Sequence, residues 1–176
     1  YNQCKEKFGS LYSIKKAIEA GELFKIEKGF YSNKPYESEI AIITLKYSEA
    51  VFTMNSAFYY HNLTDTIPEK YYLATGKNAS KISDSRIIQK YENSDVLKLG
   101  LIEMEQDGAI IKIYNRERML LELIRNKNNV PFDYYKEILN NYRKIINNLN
   151  IQTIQDYAEN LPKNKMIMDT LRLEVF

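Results

Sequence analysis

Leu11, Ile14, Ala17 and Ile18 fall at i, i+3, i+6 and i+7 among polar residues, one apolar stripe on a helix of about three turns. Ser10 stands where a hydroxyl accepts from the free amides of a first turn, and Gly21 where a left-handed residue closes a helix. The spacing predicts a helix over 11–20. The pattern then changes period. Residues 23–27 and 30–32 are rich in strand formers and flank Lys28-Gly29, a tight hairpin turn. Residues 2–8 read as the tail of another helix, and Asn33-Lys34-Pro35 as a linker. Helix, turn, helix, hairpin is the outline of a winged helix-turn-helix whose own first helix is missing, with 11–20 as recognition helix and the hairpin as wing.

Beyond the linker the pattern predicts helices over 39–47 and 55–61, a strand over 71–75 between Pro68 and Gly76, a polar loop over 77–85, and a strand over 86–91. Residues 99–105 and 109–114 flank Gln106-Asp107-Gly108, a strong hairpin signal. From 116 onward the periodicity is helical: 116–125, 132–149, 153–160, and 165 to the end. The expected fold class is α+β. A winged-helix DNA-binding module over 1–35 precedes a larger mixed α/β domain over 36–176, closed by a helical C-terminal tail.

Charge sharpens this division. The formal net charge of the 176 residues is +2, but residues 1–36 hold seven Lys and four Glu, which leaves the other 140 residues near −1. A basic module on a nearly neutral body suits nucleic acid, although a solvated lysine face gives the same count. The single cysteine, Cys4, points to a reducing, intracellular setting. No apolar run approaches the roughly 20 residues of a membrane span. The chain opens on Tyr1 rather than Met, so further residues are expected upstream.

The polar side of the 11–20 helix offers Tyr12, Ser13, Lys15, Lys16 and Glu19. In a major groove its lysines and serine would meet base edges or phosphates, and its tyrosine a phosphate. Lys25 and Lys28 on the wing, with Lys34 beyond, would add salt-sensitive backbone contacts. Winged helices also dock proteins, with such lysines merely solvated. His61, the only histidine, cannot build a zinc site with a single cysteine, and reads as a packing or capping residue at a helix end. Gly9-Ser10 invites comparison with nucleotidyltransferases, but the first aspartate is Asp65, far too distant for their paired metal ligands. Glu103, Glu105 and Lys112 only loosely approach a metal-nuclease pattern and read as a solvent face of the hairpin. Arg118, Glu122 and Arg125 fall at i, i+4 and i+7, a charge ladder that is either a binding face or an ion-pair network opposite an apolar face. Phe58-Tyr59-Tyr60 and Tyr71-Tyr72 read as core aromatics with tethered hydroxyls rather than base-stacking platforms.

Three sets of residues together resemble the AbiEi-like antitoxins of type IV, or abortive-infection, toxin–antitoxin systems. The first is Gly21-Glu22-Leu23 with Gly29-Phe30-Tyr31 in the wing. The second is Ser56-Ala57, His61-Asn62-Leu63 and Pro68. The third is the strand 111–114 followed by Glu117-Arg118, Glu122 and Arg125. Asn62 stands where the family usually has Gly, Glu122 where Asp is usual, and Met119 where Thr is common. The resemblance implies a cytoplasmic bacterial autorepressor, without enzymatic activity, cofactor or metal, that binds double-stranded operator DNA at inverted repeats. It also implies that the larger domain antagonises a nucleotidyltransferase-like toxin, with or without direct contact. Two rivals stand beside it: a winged-helix regulator with a ligand-sensing body and no toxin partner, and an enzyme built around Glu103, Glu105 and Lys112.

Overall fold

A computed structural model describes residues 2–175, side chains included from Cys4 onward, as a mixed α+β chain in two compact units. One unit runs up to Ser48 and takes in Asp107–Ala109; the other comprises Glu49–Gln106 and the chain from Ile110 onward. Segment 36–48 thus falls in the first unit.

In that first unit, α1 (Asn2–Phe8) turns at Gly9 into α2 (Leu11–Glu19). Ser10 caps α2, its Oγ accepting from the Ser13 amide at 3.1 Å. Gly21, at φ +71°, lets the chain leave the helix without a Cβ clash. Ile14, Ala17 and Leu23 are buried together, with Cys4, Phe8, Ile18 and Tyr31 packed around them. Leu11 departs from the expected stripe and is 59% exposed. The small core covers only the second and third turns of α2, so an apolar residue in the first turn finds nothing to bury against. The hairpin follows: β1 (Phe24–Glu27) pairs antiparallel with β2 (Phe30–Ser32), with an irregularity between Lys25 and Glu27 and Gly29 at φ +84° in the turn. Helix α3 (Glu39–Lys46) is capped by Ser38 and buries Ile40, Ile42 and Ile43.

The second unit is built on a five-stranded mixed sheet. Its strands are β3 (Val51–Phe52), β4 (Tyr71–Gly76), β5 (Ile87–Glu92), β6 (Leu101–Gln106) and β7 (Ala109–Tyr114), in spatial order β5-β4-β3-β7-β6. The central strand β3 has no counterpart in the sequence reading. Two residues are too few to show a period, and Val51-Phe52 becomes a strand because β4 and β7 pair on either side of it. The pairing of β4 with β5 is parallel, Tyr71 opposite Ile87 and Gly76 opposite Glu92. Parallel neighbours usually need a helical crossover. Here the polar loop 77–86 suffices, since ten extended residues can span about 33 Å and a six-residue strand only about 20 Å.

The helices of this unit are α4 (Met54–Tyr60), α5 (Ser94–Leu97), α6 (Arg116–Arg125), α7 (Phe132–Ile145), α8 (Ile151–Asn160) and α9 (Asn164–Thr170); α4 and α5 pack against β4, and α4, α7, α8 and α9 pack against α6. Helix α6 is central. Asn115 caps it by accepting from the Arg118 amide at 2.9 Å, and all of Arg118–Ile124 is buried. Among the α6 neighbours, Ile138 and Tyr142 of α7, Ile154 and Ala158 of α8, and Ile167 of α9 are each fully enclosed. Short helix α5 was also absent from the sequence reading, because four residues carry no helical period.

Candidate functional site

The nucleic-acid candidates lie in the first unit. With Ile14 and Ala17 turned into its core, α2 leaves Tyr12, Lys15 and Lys16 exposed, while Ser13 is half-buried and its Oγ lies 2.9 Å from that of Ser10. Lys25 of β1, Lys28 of the hairpin turn and Lys34 beyond β2 are exposed as well. The hairpin acid Glu27 is held by Lys46 at 3.2 Å, which leaves Lys25 and Lys28 as the hairpin's unneutralised charge. Lysines at α2, the turn and the linker therefore present cations from three separate segments of the unit.

The second and third sets of residues singled out above lie in the second unit, and most are buried. Ser56 accepts from the Tyr72 amide at 2.9 Å, tying α4 to β4. His61 ends α4, followed by Asn62 at φ +58° in the left-handed conformation. Its Nε2 lies 2.6 Å from the Tyr114 carbonyl, an acceptor only, so Nε2 carries the proton and donates. Burial pushes the His61 pKa below its ordinary value, with Arg116 pushing the same way and the bond to Tyr114 opposing. Arg116 also donates to the His61 carbonyl at 3.1 Å. Pro68 is half-buried, and Glu117 accepts from the Asn150 amide at 3.2 Å.

The charge ladder forms, but inside the protein rather than on an outer face. Arg118 is fully buried and Glu122 nearly so. Arg118 Nε donates to Glu122 Oε1 at 2.9 Å and Nη1 to the Val96 carbonyl at 3.1 Å. Its Nη2 lies 2.8 Å from the same Glu122 oxygen, outside hydrogen-bond alignment. The guanidinium sits 4.8 Å from the centre of the Tyr114 ring. Arg125 completes the chain, 2.5 Å from Glu122 through Nη1 and 3.4 Å from Glu92 through Nη2.

This network is one wall of a cleft of about 220 Å³. Lys90, Tyr91 and Glu92 of β5, Glu122 and Arg125 of α6, Asn126, Asn129, and Lys163 before α9 contribute to its polar lining. Thr53 and Met54 line it as well, Met54 at φ +44°. A methionine there is strained by roughly 1–3 kcal/mol. The strain follows from the abrupt turn between β3 and α4, where Thr53 is the only intervening residue. Burial raises the Glu92 carboxyl above its ordinary pKa, reinforced by Glu122, while Arg125 opposes.

Glu103 and Glu105 are exposed on β6, and Lys112 is paired with Glu49 at 3.3 Å. No group of three or more His, Cys, Asp or Glu side chains capable of holding a metal occurs among the described residues. Nor, among them, is any helix long and apolar enough to cross a membrane.

Sequence reasoning had passed over Lys90, Glu92, Asn126 and Lys163. The i, i+2 spacing of Lys90 and Glu92 on a strand was a usable signal, since it places both on one face. For Asn126 and Lys163 nothing local marked a site. No protein-family model matches the chain, and a search of the curated proteins finds no match.

Proposed function

We propose that this chain is a non-enzymatic, DNA-binding antitoxin of the type IV class. It represses its own operon through α2 and its wing, and antagonises a nucleotidyltransferase-like toxin through the larger unit. The observation that carries the reading is the polarity of α2: Ile14 and Ala17 face its core while Tyr12, Lys15 and Lys16 face outward, ahead of a hairpin with two exposed lysines. A helix of this kind can enter a major groove while the wing tracks the adjacent phosphates. Assigning α1, α2, β1 and β2 to a winged helix belongs to this proposal. So do the inverted-repeat operator, the cytoplasmic setting and the toxin partner, which rest on the resemblance.

The test uses the full-length protein and the DNA upstream of its own operon. Lys15→Glu with Lys16→Glu removes two charged contacts worth roughly 1.5–3 kcal/mol each. Operator affinity should fall at least a hundredfold while the circular dichroism spectrum and Tm stay unchanged. A folded double mutant that binds as the wild type does would sink the assignment of α2. The antitoxin half is tested by inducing the neighbouring open reading frame with and without the full-length chain. Rescue of growth supports it, and unrelieved toxicity or a harmless neighbour removes it.

A second reading, a DNA-binding regulator with a ligand-sensing body and no toxin partner, is favoured by one observation: the polar cleft between β5, α6 and the start of α9.

A further inference from the structure

Lys90 and Glu92 sit two residues apart on β5, so their side chains leave the same face of the strand. Their register partners on β4 are Ala74 and Gly76, residues too small to fill the space beside them. Their side chains start roughly 6.6 Å apart along the strand, within reach of each other for a lysine and a glutamate. Here Glu92 instead reaches Arg125 at 3.4 Å, a long contact, and Lys90 forms no ion pair among the described residues. Arg125 is already committed to Glu122 at 2.5 Å, and Glu122 to Arg118. The cleft therefore retains a weakly satisfied carboxylate and, close to it on the same strand, an unpaired ammonium, with Lys163 adding a second cation at the exposed rim.

We infer that this cleft binds a small zwitterion of the α-amino-acid class, its ammonium group on Glu92 and its carboxylate on Lys90 and Lys163. A plain anion would meet the Glu92 carboxylate, and a plain cation would meet the two lysines; a zwitterion satisfies both. Size agrees. About 220 Å³ is smaller than the roughly 300–1,000 Å³ of pockets for drug-sized ligands. It holds about seven waters at roughly 30 Å³ each, the bulk of a molecule of about ten heavy atoms. The inference deepens the ligand-sensing reading and rests on the cleft alone; neither DNA binding nor toxin antagonism enters its readout.

The experiment is a thermal-shift screen of the full-length protein against the twenty L-amino acids, followed by calorimetric titration of any that respond. Each is compared with its N-acetyl derivative, which lacks the ammonium charge, and its methyl ester, which lacks the carboxylate. At least one free amino acid should raise Tm by roughly 5–10 °C at a hundredfold excess over its Kd. Both blocked forms should lose at least tenfold in affinity. Glu92→Gln and Lys90→Gln should each abolish the shift, and Lys163→Gln weaken it. No response to any free amino acid overturns the inference. So does a blocked form that binds as well as its parent, which would make the cleft a site for a simple anion or a simple cation. A response that survives both Glu92→Gln and Lys90→Gln places the ligand elsewhere and overturns it too.

Discussion

Arg118 and Glu122, one turn apart on α6, form an ion pair with almost no exposure to water, joined at 2.9 Å through the guanidinium Nε. A pair of this kind adds little net stability relative to a well-packed apolar pair, because both charges lose their hydration. Removing one partner is different, since it strands the other charge. Arg118→Met should lower unfolding free energy by about 3–5 kcal/mol. Adding Glu122→Leu should recover part of that loss rather than deepen it. Urea denaturation of the wild type, the single mutant and the double mutant reads the effect, and a single mutant within about 1 kcal/mol of wild type would contradict it.

His61 should impose a pH dependence on stability. Its folded pKa lies below the ordinary 6.5 because burial disfavours the cation. Between the two pKa values the unfolded chain binds the proton and the folded one does not. The stabilisation is therefore complete above about 6.5 and is lost as pH falls through the window below it. Glu92 acts oppositely: its carboxyl is raised above 4.5, so it favours the folded state as pH drops through its own, raised value. Unfolding free energy measured from pH 7.5 to 5.5 should decline in the wild type, and the His61→Gln difference curve should carry that decline. Parallel curves would remove His61 from the account.

Gly100 and Gly108 both have positive φ, yet they should respond unequally to alanine. At Gly108 a Cβ meets open space, so Gly108→Ala carries only the left-handed backbone cost of roughly 1–2 kcal/mol. At Gly100 the same atom would come within 2.6 Å of the Arg118 Cβ and 2.9 Å of the Asn115 Oδ1 that caps α6. Overpacking there adds about 1–3 kcal/mol to the backbone cost. Thermal unfolding should rank Gly100→Ala well below Gly108→Ala, and equal Tm losses would show that the α6 start yields freely.

Salt dependence offers a further check on the proposed DNA contacts of the β1–β2 hairpin. If Lys25 and Lys28 meet phosphates, the slope of log affinity against log salt should become shallower by about 0.9 for each lysine removed. Lys25→Ala with Lys28→Ala in the full-length protein should thus reduce the slope by about 1.8 across operator variants alike. An unchanged slope would take the hairpin off the DNA.

Several elements were legible in the sequence because what specifies them is local. Helix α6 begins at Arg116 after the Asn115 cap and ends at Arg125, the bounds its periodicity predicts. Ser10, Gly21 and Lys28-Gly29 likewise mark the ends of α2 and the turn of the first hairpin. Caps, turn glycines and apolar periods act over a few residues, so one short window contains the whole signal. The rest depends on residues that meet only when the chain has folded. Val51-Phe52 becomes the central strand because distant β4 and β7 flank it, and β5 lies parallel to β4 because the 77–86 loop is long enough to return. The Arg118–Glu122–Arg125 spacing was readable, but its burial was not: the partners that enclose these charges include Val96 and Glu92, more than twenty residues away in sequence. The cleft is the extreme case. Lys90, Glu92, Arg125 and Lys163 come from three separate stretches of chain, and only tertiary packing decides that a carboxylate and two ammonium groups share one small space.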